Sequence, residues 1–251
     1  MNVLLILISL LILSVAIYQV RIMRLINGKL IKLVAPERDA RRIAKSQSDA
    51  AWQHYRQSEF YAQLLNFLSL TAPIPSTRSW AASPDVLLTL LETARTSSPR
   101  NILDLGSGMS TLVLAKSAPQ GLVISIDNSA EYAHKTQQML ATHGVTNVDV
   151  RVAPLVPHTS GVEWYDLSQL ADLSDIDLLF IDGPPGSKND RARHPALAEC
   201  LSKLSPRAII VIDDAGRDGE RNLAEEFAKA LPSHTLEFLP HEKGTALLLP
   251  K

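Results

Sequence analysis

Between residues 101 and 213 the chain repeats one unit, a short apolar run rich in β-branched residues followed by a stretch of more polar sequence. The runs are NILDLG, LVISID, VDVRVA, IDLLFID and AIIVID, with helical stretches expected between them. Strands apolar on both faces are buried in a parallel sheet with helices on each side, so the alternation implies an open α/β fold. Two further runs, TLEFLP and GTALLLP, follow each other through the short turn HEKG. They are expected to end a mostly parallel, seven-stranded sheet as a C-terminal antiparallel hairpin.

In such sheets ligands bind beyond the carboxyl ends of the strands, which is where the first run opens into GSGMST. Gly106 and Gly108 let the backbone turn sharply and approach a ligand, and the next helix begins with free N–H donors. The dinucleotide pattern G-x-G-x-x-G needs a glycine at position 111, where this chain has Thr111. Asp104, just before the glycines, would repel a phosphate but suits an ammonium or sulfonium group. About 20 residues on, the second strand ends in Asp127, where a carboxylate can accept both hydroxyls of a ribose. DNSAEY also reads as a helix start, so Asp127 has an N-cap reading beside the ribose one, and the two are compatible.

ILDLGSGMST followed by VISIDNS resembles motifs I and II of the class I S-adenosylmethionine-dependent methyltransferases. With LLFIDGPPG and IIVIDDAGR, the ordered set is most similar to methyltransferase family 24, near the catechol O-methyltransferase-like enzymes, over roughly residues 79–250. The resemblance implies a Rossmann-like sheet and S-adenosylmethionine as cofactor. It implies that Gly106, Ser107 and Gly108 line the methionine moiety with Asp104 nearby, and that Ser110 and Thr111 start the helix beneath it. Asp127 would hold the ribose, Asn128 would sit beside the adenine, and Ala153 and Pro154 would lie against its ring.

The fourth and fifth strands end in Asp182 and in Asp213 with Asp214. They are neighbours in this fold, about 4.8 Å apart, so the three carboxylates would crowd together and need a cation or a shared proton. In the catechol-type enzymes the matching positions hold Mg²⁺, which makes Asp182, Asp213 and Asp214 metal-ligand candidates and Asp182 a catalytic one. Two departures stand out: Asp214 replaces an asparagine, and GPPG follows Asp182 where the family has a lysine. Lys188 and His194 are the nearest replacements for a general base, each equally readable as a loop residue, and Asp213 and Asp214 also read as caps of a turn. The loop GPPGSKNDRARHP suits a substrate-side role, with Arg191, Arg193 and Arg217 as anion binders or as solvated surface charges. Trp80, Trp164 and Tyr165 either wall the pocket or pack the core.

Residues 3–20 form an uncharged apolar run of about 18 residues, close to the length that crosses a bilayer. Without a basic n-region or a small-x-small cleavage site, it reads as an uncleaved anchor. Arg21, Arg24, Lys29 and Lys32 follow it, and the positive-inside rule then puts the C-terminal side in the cytoplasm as a single-pass protein. Residues 1–22 are thus expected as a membrane anchor, and 23–78 as a basic juxtamembrane segment, an amphipathic helix and a Pro-containing linker. The catalytic domain would span 79–251. The amphipathic helix, near residues 36–70, would pack on the domain or pair two copies as a homodimer. A formal net charge of -1 gives no reason to expect nucleic acid, and the single Cys200, read as a buried helix residue, excludes an internal disulfide or a cysteine-rich zinc site.

These features converge on a membrane-anchored methyltransferase acting on oxygen in a small or lipid-borne acceptor. An NAD-type oxidoreductase on a related sheet and a non-catalytic membrane-tethered scaffold are the alternatives.

Overall fold

The computed structural model describes residues 2–77, 81–186 and 189–251, without the side chains of 2–5 and 33–38. The chain divides into two compact units, Met1–Tyr55 and Arg56–Lys251. Helix α1 spans Asn2–Phe67. The separate membrane helix and amphipathic helix expected from the sequence are therefore one element, because the basic stretch joining them is rich in helix-forming Arg, Lys, Ala and Leu. Within it, Ile6–Lys32 is long and apolar enough to cross a membrane, and its side chains are exposed.

In the second unit, Ser83 stands at the N-cap position of α2 (Pro84–Ser97) with its hydroxyl donating to Asp85, and Pro84 lies in the first turn, where a missing N–H costs nothing. The chain then alternates through β1 (Asn101–Leu105), α3 (Met109–Ser117), β2 (Leu122–Asp127), α4 (Ala130–Thr142) and β3 (Val148–Val152). Between β3 and Ile176 there is no α-helix, only a 3₁₀ turn at Leu167–Leu170. PLVPHTSGVEWY, with two prolines and Gly161 at positive φ, forms instead a small antiparallel hairpin of β4 (Leu155–Pro157) and β5 (Glu163–Tyr165). After it come β6 (Ile176–Ile181), α5 (Pro195–Cys200), β7 (Leu204–Asp213), α6 (Asp218–Ala230), β8 (His234–Leu239) and β9 (Thr245–Pro250).

The sheet has the order β3-β2-β1-β6-β7-β9-β8. All pairs from β3 to β7 are parallel, and β9 runs antiparallel to both β7 and β8, so the predicted terminal hairpin is present with its second strand inside the sheet. The period of two along each strand separates two cores. Ile102, Leu178, Phe180 and Val211 face the layer formed by α2 and α3. Leu103, Leu179, Ile181, Ile210 and Ile212 face the layer of α6, where Leu223, Ala224 and Phe227 fall on one helical stripe, together with Trp164 and Tyr165. Cys200 is buried in that second core, as expected, and burial pushes its thiol up to about 12.

Candidate active site

Because β1 and β6 are adjacent and parallel, their carboxyl ends open side by side. The turn after β1 reverses direction through Gly106 (φ 121°) and Gly108 (φ 138°), conformations that side chains avoid. Gly106 packs directly on the backbone of Asp182 and Gly183, while the space over the α-carbon of Gly108 is open for 4 Å. Asp104 lies beneath this turn, fully buried. Its carboxylate accepts from the hydroxyls of Thr111 (2.7 Å), Ser110 (3.1 Å) and Ser125 (3.4 Å), and Thr111 Oγ1 also accepts from Gly108 N (3.1 Å). Burial pushes the Asp104 carboxyl up to about 7 against these hydrogen bonds. Ser125, on β2, went unnoticed in the sequence reading; its place between two core positions of a strand is the signal that would have found it.

One strand over, Asp127 closes β2 and is buried. One oxygen accepts from Ser129 N (2.7 Å), ahead of α4, and the other from Ser107 Oγ, which also contacts Thr136 Oγ1 at 3.0 Å. DNSAEY does start a helix, but its N-cap is Ser129, whose Oγ accepts from Tyr132 N (3.4 Å); Asp127 stands two residues earlier and holds the cap residue through Ser129 N, and the same carboxylate ties the glycine turn to the end of β2. Asn128 is half-buried beside it, Ala153 is buried with its N–H on the Asp127 carbonyl (2.8 Å), and Pro154 is exposed.

The carboxylates of β6 and β7 do meet, as the strand order requires, but the cation among them is a side chain. Arg193, 4% exposed, donates from Nη2 to Asp182 Oδ1 (3.1 Å) and Asp214 Oδ2 (3.0 Å). It also donates from Nη1 to the Asp213 carbonyl (3.2 Å) and from Nε to the Pro184 carbonyl (3.3 Å), with Glu220 Oε1 at 3.7 Å. Arg217 adds a second contact to Asp214 at 3.0 Å. Burial and the Asp213 carboxylate push Asp182 well above the usual range, and burial with the Asp214 charge pushes Asp213 up to about 6. Four carboxylates around Arg193 keep it protonated despite its burial.

A divalent metal does not fit this donor set. The guanidinium binds one oxygen each of Asp182 and Asp214, and Asp213 Oδ1 accepts from Asp214 N (2.8 Å); Asp213 Oδ2, Asp214 Oδ1 and Glu220 Oε2 are buried without a hydrogen-bond partner, yet with Arg193 among them the described residues present no group of three or more ligands arranged to hold a metal. The sequence reading of Asp182, Asp213 and Asp214 as Mg²⁺ ligands is therefore replaced by an ion-pair cluster. His194 pairs with Glu226 on α6, 3.6 Å away. Lys188 and Trp80 lie outside the described residues. Of the other arginines, Arg191 is exposed, while Trp164 and Tyr165 are core residues, the tyrosine hydroxyl sitting against Gly183. Beyond Asp214, the loop 214–217, Arg221 and the β8–β9 turn surround a cleft of about 640 Å³.

Residues 103–215 match the family described as "Methyltransferase domain". A search of curated proteins by sequence gives no match. Among solved structures, an O-methyltransferase from Bacillus cereus in complex with SAH is similar over 77% of this chain and 91% of its own, at 21% identity and TM-score 0.55. The O-methyltransferase TomG from Streptomyces achromogenes, involved in tomaymycin synthesis and bound to SAM, covers 78% and 98% at 20% identity and TM-score 0.55. SAH-bound PaMTH1, a methyltransferase from Podospora anserina, covers 82% and 95% at 16% identity and TM-score 0.55.

Proposed function

We propose, from the match of residues 103–215 to a methyltransferase domain, that the chain methylates a hydroxyl oxygen of a small or lipid-borne acceptor, using S-adenosylmethionine, at a membrane in which α1 is anchored. The observation that carries this reading is the buried Asp127 carboxylate at the end of β2, hydrogen-bonded to Ser107 of the turn between Gly106 and Gly108. A carboxylate there suits a ribose diol, and the open space over Gly108 suits the methionine arm. Asn128, Ala153 and Pro154 flank the adenine in this reading, and Asp104 with Ser110 and Thr111 supplies a polar floor under the methionine part of the ligand. Thr111, whose hydroxyl is committed to Asp104, stands where a dinucleotide-binding turn needs a glycine.

S-adenosylmethionine, when bound, supplies a methyl group on a positively charged sulfur, so the protein's task is mainly alignment and exclusion of water. Asp182 is the group we assign to the acceptor. Its side chain is 17% exposed against 5% for Asp214, so it is the carboxylate of the cluster that an acceptor hydroxyl can reach. The cations Arg21, Arg24, Lys29 and Lys32 after the apolar stretch support a cytoplasmic C-terminal unit.

The test is transfer of labelled methyl from S-adenosylmethionine by the full chain in detergent, with catechol and a hydroxylated lipid offered against their amine analogues. Label on oxygen is expected, and label found only on nitrogen would overturn the assignment of the acceptor atom. Protease protection of the C-terminal unit in sealed inverted vesicles would contradict the cytoplasmic orientation.

A further inference from the structure

We propose that Arg193 is the built-in cation of this site, a positioning residue that occupies the place of a divalent metal and holds Asp182 ready for the acceptor. The inference rests on the methyltransferase reading for the identity of that acceptor, but its geometric basis is independent of it.

Carboxylates gathered at the ends of two neighbouring strands need a counter-charge, and here the chain supplies its own. All three guanidinium nitrogens of Arg193 are used, and their partners come from three places: the loop after β6, the end of β7 and the first turn of α6. A planar fork of this kind fixes direction as well as charge, which a lysine would not do. The bond to Asp182 engages Oδ1 alone. Oδ2 accepts no hydrogen bond from the described residues, and Asp182 is the most exposed member of the cluster. Arg193 therefore turns one carboxylate oxygen inward and leaves the other facing the acceptor side. In the transfer step the hydroxyl proton passes to Asp182 Oδ2 as the new oxygen–methyl bond forms. The sulfur–methyl bond breaks with its electron pair going to sulfur, which leaves neutral as a thioether.

A guanidinium tethered by the backbone cannot dissociate, so chelators should have nothing to remove. A second cation arriving at the same point would meet the existing positive charge of Arg193. Buried ion clusters of this kind respond strongly to loss of one partner; Arg217 and Lys243 would remain near Asp214, at 3.0 and 4.0 Å, but among the described residues no ion pair other than that with Arg193 reaches Asp182. Removing Arg193 should therefore convert the cluster into a site that seeks a cation.

The experiment is Mn²⁺ titration of the full chain in detergent, followed by the electron paramagnetic resonance signal of free Mn²⁺. Wild type is expected to leave that signal unchanged, while Arg193→Ala acquires a site at least about tenfold tighter, which Mg²⁺ competes for and which Asp182→Asn removes in the double variant. Arg193→Gln, which keeps most of the side-chain volume, serves if the alanine variant does not fold, and Arg193→Lys should still exclude Mn²⁺. Wild-type binding of Mn²⁺ that Asp182→Asn abolishes would overturn the proposal, as would a folded, uncharged variant that gains no site. Calorimetry of the same samples with S-adenosylmethionine reads the methyltransferase assignment separately, so failure of one is not failure of the other.

Discussion

Asp104→Asn is the substitution whose effect follows most directly from the geometry. Asp104 is fully buried, and its carboxyl titrates near 7 in the fold against 3.8 in an open chain. The folded protein therefore holds a proton that the unfolded chain has already released, and between those two values stability falls as pH rises. At 1.36 kcal/mol per pH unit, the interval corresponds to about 4 kcal/mol, present below pH 3.8 and lost by the time the pH passes 7. Asparagine is nearly the same shape, can still accept from Thr111 Oγ1, and does not titrate. The stability of the variant minus that of wild type should therefore climb by about 4 kcal/mol from acid to neutral pH, or about 8–16 °C in melting temperature for a domain of this size. Thermal unfolding of both full-length proteins in one detergent, at intervals of pH, measures the difference, and the other titrating carboxylates cancel in it. A difference that stays flat across the interval would refute the argument that burial controls Asp104.

Two further outcomes follow from packing. A Cβ at Gly183 would collide with Tyr165 Oη and press on the Leu105 carbonyl, so Gly183→Ala should cost about 1–3 kcal/mol in unfolding experiments. Part of that loss should return in the Tyr165→Phe background. Cys200, buried with its thiol pushed up to about 12, should resist maleimide in the folded protein and react once urea exposes it, as read by mass spectrometry.

The sheet was legible because its evidence is local. Ile102, Leu178, Phe180 and Val211 face one layer and their neighbours Leu103, Leu179, Ile181 and Ile210 the other, and that alternation is written in the runs themselves. Asp127 was legible for the same reason, as a strand-end carboxylate at a fixed interval from a glycine turn. The β4–β5 hairpin was missed because each of its strands is only three residues long, too short to show a period. Arg193 was read as an anion binder or a surface charge because nothing near it in sequence distinguishes it from Arg191. What separates them is contact with Asp182, Asp214 and Glu220, which only the strand order and α6 bring within reach. The crowding of carboxylates was foreseen from strand adjacency, and the identity of the compensating cation was not, because loop conformation decides it. His194, one residue on, shows the same limit: its place in the loop said nothing of its pairing with Glu226.

The account stands or falls on the cofactor, and the measurement that reaches it directly is calorimetric titration of the full chain with S-adenosylmethionine and, separately, with NAD. The account predicts saturable S-adenosylmethionine binding and none for NAD. It further predicts that Asp127→Ala weakens S-adenosylmethionine by about 100-fold or more, since two hydrogen bonds to a charged acceptor are lost. Binding of NAD instead, or S-adenosylmethionine affinity unchanged in a folded Asp127→Ala protein, would contradict it.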